Sequence, residues 1–337
     1  MSEFHEKVQI DSHRFFGEYH GHPAGDLHQA LDHFRGTRGR KAPVIWLAGD
    51  SSLDNKHWFE DTASAINGWE DILTPPTVKK DVAYYVSKEC VSRKLGATSV
   101  FNCAIEESCV GDRSCGRLMR QDRFIADNIG PNDTLVVSVG GNDIALKFTP
   151  CTVINIAWLM LCVPQTCIEN TACGCSLPCD DCCLGCGPSC LSNFLACPPG
   201  AGYFLHLFKT RIEHYLTSLV AKCKPKKVLI CMIYYPDEKQ TGSWADTTLG
   251  VLGYNSNPAK LQALIRLMFK HATQNICIPG VEVEAVPLFE AMDGRDTRDY
   301  CQRVEPSPKG SAKMAKIIMD YAFGEGARSA LEEMDGR

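Results

Sequence analysis

The stretch that decides the fold is Trp46-Leu47-Ala48-Gly49-Asp50-Ser51-Ser52-Leu53-Asp54-Asn55. Its first three residues end an apolar run that starts at residue 43 and has the length and composition of a buried strand. A serine on the turn after a buried parallel strand lies at the carboxyl edge of the sheet, where α/β proteins bind their ligands. Helix N-terminal amides at that edge can stabilise an anion. An ordinary Asp/Ser turn with a helix N-cap explains this stretch alone at least as well.

Four further apolar runs predict strands, and helical stretches separate them. The five predicted strands are residues 43–48, 98–102, 134–139, 228–234 and 281–288. The predicted helices are residues 58–66, 78–95, 112–129, 203–223, 257–272 and 310–322. Strands that alternate with helices predict an α/β fold with a five-stranded parallel sheet, covered by helices on both faces.

Composition narrows the class of protein. The chain has 337 residues, of which 45% are hydrophobic and 22% charged, as in a globular protein with a large core. Its net charge of -5 and the lack of a long basic run argue against nucleic-acid binding. No apolar run is long enough to cross a membrane, and the N-terminus does not resemble a secretory signal. We therefore expect a cytoplasmic protein without a transmembrane segment; the oligomeric state is not readable from the sequence.

The chain divides into four parts by composition. Residues 1–40 form a polar extension that holds six of the ten histidines, which we expect to be solvated surface residues rather than metal ligands. Residues 41–325 form the α/β domain, and residues 326–337 a C-terminal tail. A segment rich in Cys, Gly and Pro, residues 151–199, interrupts the domain. Because it follows a predicted strand end, we expect it to lie over the carboxyl edge of the sheet.

Three of the predicted strands end in polar motifs: Gly49-Asp50-Ser51, Asn102-Cys103-Ala104-Ile105-Glu106-Glu107 and Gly140-Gly141-Asn142-Asp143. The carboxyl ends of parallel strands lie at one edge of the sheet, so these motifs should meet. A hydroxyl beside a carboxamide suits acyl transfer, because the hydroxyl attacks a carbonyl carbon and the amide N–H donates to the developing oxyanion. For Asp50 and Asp143 alone, turn formation and helix capping are sufficient explanations.

These motifs resemble those of the SGNH (GDSL) hydrolase family. The stretch 49–55 is similar to the first family block, Val139-Gly140-Gly141-Asn142-Asp143 to the third, and Val304-Glu305-Pro306-Ser307 to the fifth. The resemblance covers about residues 41–150 and 200–322. It implies a flavodoxin-like three-layer α/β/α sandwich and hydrolysis of a small-molecule or lipid acyl ester or thioester, with no cofactor required.

The resemblance also implies roles for individual residues. Ser51 would be the nucleophile and, through its backbone N–H, the first oxyanion donor. Asn142, which lies in the third block together with Gly140, would donate to the same oxyanion from its side chain. Glu107 stands where the second block has a glycine whose N–H completes the oxyanion hole.

The fifth block departs from the family pattern. The family has a histidine before Pro-Ser and an aspartate three residues earlier, whereas this chain has Glu305 and Gln302. A free carboxylate is about two pKa units less basic than imidazole, so Glu305 would serve as the catalytic base only if burial raised its pKa. Three interpretations stay open: a serine esterase that uses Glu305 or another base such as His57, an inactive protein of this fold that binds a ligand or partner, and a metal or redox protein built on its cysteines.

The cysteines are the unusual part of the composition. The chain has 19, of which 11 lie between Cys151 and Cys197. Short spacings place seven of them where they could surround zinc or an iron–sulfur cluster. These seven are Cys173, Cys175, Cys179, Cys182, Cys183, Cys186 and Cys190. Disulfides, or thiols that are acylated or free, are the alternatives.

Overall fold

The structure is a computed structural model that describes residues 9–170 and 200–324. In these ranges, five parallel strands form the central sheet. They are β1 (Val44–Gly49), β2 (Ser99–Asn102), β3 (Thr134–Ser138), β4 (Lys227–Met232) and β5 (Glu282–Pro287). Their order across the sheet is β2-β1-β3-β4-β5, which is the flavodoxin-like order. The predicted strands and their parallel arrangement are confirmed.

Helices occupy most of the remaining described chain. They are α1 (Ser12–Gly17), α2 (Ala24–Arg38), α3 (Val82–Ser92), α4 (Arg120–Asn128), α5 (Gly141–Ala145), α6 (Pro150–Leu161), α7 (Gln165–Asn170), α8 (Ala201–Leu205), α9 (Ile212–Leu219), α10 (Ala245–Val251), α11 (Pro258–His271), α12 (Leu288–Ala291) and α13 (Pro308–Phe323). A π-helical segment, His206–Arg211, joins α8 to α9.

One predicted helix was wrong, and a second is shorter than predicted. Residues 58–66 contain the end of a 3-10 turn, Asn55–Trp58, and a short strand, Thr62–Ser64, which pairs antiparallel with Thr77–Lys79. The predicted helix at 112–129 begins only at Arg120, because the 3-10 segment before it contains a residue with positive φ, Cys115. Apolar spacing does not register such local breaks in the backbone.

The sheet is covered on both faces, as predicted for a three-layer sandwich. Successive side chains of β1 point to opposite faces: Trp46 and Ala48 belong to one apolar core, and Ile45 and Leu47 to the other. Helices α3 and α13 cover the second face, whereas α2, α4, α9 and α11 cover the first. The fold is therefore an α/β/α sandwich.

The described part of the N-terminal extension packs on the domain. Leu27, Leu31 and Phe34 of α2 are buried in the first core. The expectation of solvated histidines is wrong for His22, whose buried ring stacks on Phe15 with centroids 4.0 Å apart. Burial lowers the pKa of His22 well below its ordinary value, because desolvation disfavours the imidazolium. His22 is thus a neutral core residue.

Helices α6 and α7 make up most of the described part of the Cys-rich segment, residues 151–170. Helix α6 begins one residue before this segment, at Pro150. The seven candidate ligands, Cys173 to Cys190, lie outside the described residues, so metal binding there stays a prediction. In residues 9–170 and 200–324, no group of three or more His, Cys, Asp or Glu side chains is placed to hold a metal ion. A bilayer-spanning helix is likewise not found in this described part of the chain.

Gly49 fixes the position of the turn that carries Ser51. It pairs with Ser138 of β3 and has a φ of 129°, which L side chains rarely adopt. A Cβ atom at this position would lie 1.8 Å from the Ser138 carbonyl oxygen. The next residue, Asp50, donates its N–H to the same oxygen at 3.0 Å. The turn can therefore follow β1 this closely only because residue 49 has no side chain.

We predict that Gly49→Ala lowers the free energy of unfolding by more than about 3 kcal/mol, because it adds backbone strain to a steric clash in the sheet. The measurement is urea unfolding followed by circular dichroism. Gly36→Ala is the matched control, since Gly36 lies in α2 and an added Cβ atom there would point into open space. Alanine should be neutral or stabilising at that position. A Gly49→Ala protein as stable as the wild type would contradict this account.

Candidate active site

The turn after β1 presents Ser51 at the carboxyl edge of the sheet. The Asp50 carboxylate accepts hydrogen bonds from the Ser52 N–H at 3.1 Å and the Ser52 hydroxyl at 2.7 Å. Ser52 Oγ is also 2.6 Å from Ser138 Oγ at the end of β3. Asp50 and Ser52 therefore hold the turn, which leaves the Ser51 hydroxyl to contact other groups.

Glu305 lies on a tight hairpin before α13. Tyr300 and Pro306 form a β-bridge, and the Cys301 N–H donates to the Glu305 carbonyl at 2.8 Å. The Tyr234 hydroxyl, which follows β4, donates to the Val304 carbonyl at 2.6 Å. These bonds fix the hairpin on both sides of the Glu305 side chain.

Arg303 anchors the same hairpin from within. Its side chain is fully buried, and its φ is 65°. The guanidinium donates to the Asp237 carbonyl at 3.1 and 3.0 Å and forms a 2.8 Å ion pair with Asp246 of α10. It also donates to the Asn255 side chain at 3.0 Å. No feature of the sequence singled out Arg303 as a structural residue.

Asn55 joins the two motifs that the site needs, although they are about 250 residues apart in the chain. Its side-chain amide donates to the Pro306 carbonyl at 2.9 Å and to the Ser311 hydroxyl at 2.6 Å. The Asn55 side-chain oxygen accepts from the Val82 N–H at 3.3 Å. The sequence showed Asn55 only as part of the first family block, and the structure makes it the link between Ser51 and Glu305.

Ser51 and Glu305 meet inside the protein. The Ser51 hydroxyl donates to Glu305 Oε1 at 3.4 Å, and the two residues are 7% and 4% exposed. This distance is longer than an optimal O–H···O bond, as is common for catalytic pairs without bound substrate. Glu305 Oε2 is buried and has no hydrogen-bond partner in the described residues.

The environment of Glu305 makes it a stronger base than an ordinary carboxylate. Burial raises its pKa from 4.5 to about 8, and the negative charge of Asp50 acts in the same direction. The hydrogen bond from Ser51 opposes this rise only in part. The burial on which its role as a base depends is therefore present.

Glu106 is a second buried carboxyl group beside the site. Burial, followed by the charge of Glu305, raises the pKa of Glu106 to about 10. Its Oε2 also has no partner within the described ranges. Because the two charges repel each other, ionisation of one of these carboxyl groups disfavours ionisation of the other. The sequence analysis missed Glu106, because an acidic residue after a strand carries no sign of its burial.

Asn142 lines the same cavity as Ser51, and the loop that carries Glu107 binds the Gly49 carbonyl through the Ser108 hydroxyl at 2.8 Å. Asn142 is buried, and one of its side-chain N–H bonds points to the Ser108 carbonyl at 2.9 Å, which fixes the orientation of the amide. Glu107 has a φ of 59°, the left-handed conformation that favours the glycine of the family pattern. Its carboxylate accepts a 2.9 Å hydrogen bond from Tyr19. The glutamate is therefore accommodated by a partner from the N-terminal segment.

Gly140 allows close packing beside Asn142. Its φ is 114°, and a Cβ atom there would approach the Phe208 ring to 2.7 Å. Asp143 binds the loop after β2, since its carboxylate accepts from the N–H groups of Val110 and Gly111 at 2.8 and 3.0 Å. Its role is to join two loops. His57 is exposed and packs against the Tyr19 ring, and no hydrogen bond joins it to Ser51 in the described structure.

An apolar cavity opens onto Ser51. It holds about 1010 Å³ of empty space, including its mouth. Asp50, Ser51, Ser52, Asn142 and Glu305 line one end, and most of the other walls are apolar. These walls come mainly from α6, α8, α10, α11 and the π-helical segment; their residues include Ile156, Phe204, Phe208, Leu249, Leu252, Leu264 and Met268. The described part of the Cys-rich segment thus contributes a wall of the site through Ile156.

The chain is similar in fold to several solved structures. No family model and no curated protein matches this chain. A protein described as a GDSL-like lipase from Parabacteroides merdae has a TM-score of 0.40 at 12% identity, over 83% of this chain and 95% of its own. An acetyl xylan esterase from Geobacillus stearothermophilus has a TM-score of 0.40 at 14% identity, over 86% and 98%. An extracellular lipase from Streptomyces rimosus has a TM-score of 0.37 at 11% identity, over 83% and 99%. At these TM-scores, function has to be argued from the site itself.

We predict that Glu305→Gln stabilises the protein at alkaline pH. Between about pH 4.5 and pH 8, the unfolded chain releases the Glu305 proton that the folded protein retains, so stability falls as the pH rises through this window. One pKa unit corresponds to about 1.4 kcal/mol. We expect a gain of about 2–4 kcal/mol at pH 9 and of less than about 1 kcal/mol at pH 5.

Urea unfolding at the two pH values measures this gain. Glu18→Gln is the control, because it removes an exposed carboxylate; it should change stability by less than about 0.5 kcal/mol at either pH. A Glu305→Gln protein with the same gain at pH 5 and pH 9 would show that Glu305 is not a buried acid with a raised pKa.

Proposed function

We propose that the protein is a serine hydrolase of acyl esters in which Glu305 takes the place of the histidine base. The observation that carries this proposal is the buried contact between the Ser51 hydroxyl and Glu305 Oε1, at 3.4 Å. The raised pKa of Glu305, about 8, supports it, because a base works best when its pKa lies near the working pH.

In the first step, Glu305 accepts the hydroxyl proton while Ser51 Oγ attacks the ester carbonyl carbon. The carbonyl oxygen of the substrate becomes an oxyanion. The Ser51 backbone N–H and the Asn142 side chain are its expected donors, and the N–H of Glu107 is the third. Protonated Glu305 then gives its proton to the departing alcohol oxygen, which leaves an acyl-Ser51 ester.

In the second step, Glu305 removes a proton from water, and the hydroxide attacks the acyl-enzyme carbonyl. Collapse of the second tetrahedral intermediate returns the proton to Ser51 Oγ and releases the carboxylic acid. Glu305 needs no aspartate to orient it, because the hairpin bonds around Val304 and Glu305 hold it in place. Gln302 therefore need not take over the orienting role that the aspartate has in the family pattern.

The cavity favours an ester with an apolar acyl group. A chain bound against Phe204, Leu264 and Met268 would leave its carbonyl carbon at the polar end, beside Ser51. Burial of a methylene group in such a cavity stabilises the complex by about 0.8 kcal/mol. The site thus suits acyl groups longer than acetyl.

We predict that a fluorophosphonate probe labels Ser51, because the reaction requires an activated hydroxyl. Ser51→Ala should abolish both labelling and hydrolysis of p-nitrophenyl esters, and Glu305→Gln should lower kcat by about 10²–10⁴. Ser92→Ala is the control: it removes an exposed hydroxyl at the end of α3 and should retain labelling. Labelling that survives in Ser51→Ala would move the nucleophile elsewhere. An unlabelled wild type would favour a protein that binds a ligand without turnover.

We also predict the pH dependence of hydrolysis. Since the base must be ionised, kcat/KM should rise with pH and level off above about 8. Asp50→Asn should shift this rise to lower pH, because Asp50 is a charge that raises the pKa of Glu305. Glu18→Gln should leave it in place, because Glu18 is exposed and its charge is not among those that raise the pKa of Glu305. A profile with a midpoint near pH 6 that Asp50→Asn does not move would point to a histidine base instead.

A further inference from the structure

In the described residues, the exposed large apolar side chains are concentrated in two segments of the chain. Ten large apolar residues are exposed in the described part of the chain, and eight of them lie within residues 146–161 and 244–251. We call these eight side chains the apolar rim. Leu161 and Val251 are 75% and 77% exposed. Monomeric soluble proteins rarely expose a contiguous apolar patch of this kind unless it has a binding function.

Helix α6 contributes four of the eight rim residues, and it is apolar on two sides. Ile156 and Leu159 are buried, whereas Val153, Ile154 and Leu161 are exposed. A helix that is hydrophobic all round is normally buried on all sides. No charged residue occurs from residue 148 to residue 168. The outer face of α6 therefore offers neither a charge nor a salt bridge to a partner.

The rim is continuous with the mouth of the cavity. Ile156 of α6 lines the cavity from one side, and Trp244, which is itself part of the rim, lines it from the other. The two charged residues of the rim segments, Lys147 and Asp246, are paired with Asp112 at 3.0 Å and with Arg303 at 2.8 Å. An apolar chain that enters the cavity between α6 and Trp244 would cross an apolar surface without an unpaired charge.

We propose that the apolar rim docks on the surface of a neutral lipid layer and that the acyl chain of the substrate passes from that layer into the cavity. This inference rests on the proposed function. The complementarity is that of the uncharged acyl region of lipids with an apolar surface whose charged side chains are paired; the tryptophan side chains of this surface suit the boundary of a lipid layer, where they are typically found. Attraction to anionic headgroups is not required, and the net charge of -5 opposes it.

The test is cosedimentation of full-length Ser51→Ala protein with phosphatidylcholine vesicles, so that no lipid is hydrolysed. We expect binding that changes less than twofold between 0.1 and 0.5 M NaCl, because the contact is apolar. Ile154→Asp with Leu161→Asp should weaken binding at least tenfold. Val91→Asp with Phe323→Asp is the matched control, since it places two charges at exposed apolar positions outside the rim; binding should change less than twofold. The milder pair Ile154→Thr with Leu161→Gln serves if the aspartates prevent folding, and it should weaken binding at least threefold.

Hydrolysis of a water-soluble short ester, measured with Ser51 intact, separates this proposal from the proposed function. Hydrolysis without vesicle binding would overturn docking and leave the hydrolase, whereas binding without hydrolysis would support docking and overturn the hydrolase. Loss of binding at 0.5 M NaCl, or equal loss in the control pair, would also overturn docking. Sedimentation velocity could also overturn docking. If the protein forms a dimer that does not bind vesicles, and if the rim variants dissociate this dimer, then the rim binds a second copy of the chain.

Discussion

The pairing of Gly49 with Ser138 is the contact on which the site depends. It brings the ends of β1 and β3 so close that no Cβ atom fits between them. The chain must therefore turn immediately after β1, and Ser51 is placed on the same edge as Asn142, which follows β3. Asn55, four residues further on, then binds the loop that holds Glu305. A single close approach in the sheet thus determines the position of Ser51 and, through Asn55, its distance from the Glu305 carboxylate.

A carboxylate in this position is subject to opposing requirements. Burial that raises its pKa also makes its ionised form costly, since desolvation disfavours the charge. Glu305 accepts one hydrogen bond from Ser51, and its second oxygen has no partner in the described residues. An imidazole base has the required pKa without burial. In the proposed mechanism, burial of Glu305 supplies the pKa that a histidine has without it, and the hydrogen-bonded hairpin takes the place of the orienting aspartate.

The sequence predicted the features that depend on local patterns. Five apolar runs predicted five parallel strands, and three strand ends identified the edge where Ser51 and Asn142 lie. Apolar spacing could not show the positive φ of Cys115, which breaks the predicted helix at 112–129. It could not show the burial of Glu106, His22 or Arg303 either, because each depends on segments distant in the chain. Whether Glu305 could act as a base was undecidable from the sequence for the same reason: its pKa is set by tertiary burial and by Asp50.

Arg303 links one wall of the cavity to the loop that carries Glu305. Its guanidinium binds Asp246 at the start of α10, while its backbone lies two residues before Glu305. Helix α10 also lines the cavity through Leu249. In the proposed mechanism, an acyl chain that displaces this helix would pull on the hairpin through the ion pair of Arg303 with Asp246, so the fit of the chain would be transmitted to Glu305. Selectivity for acyl length would then appear in the turnover number as well as in the affinity for substrate.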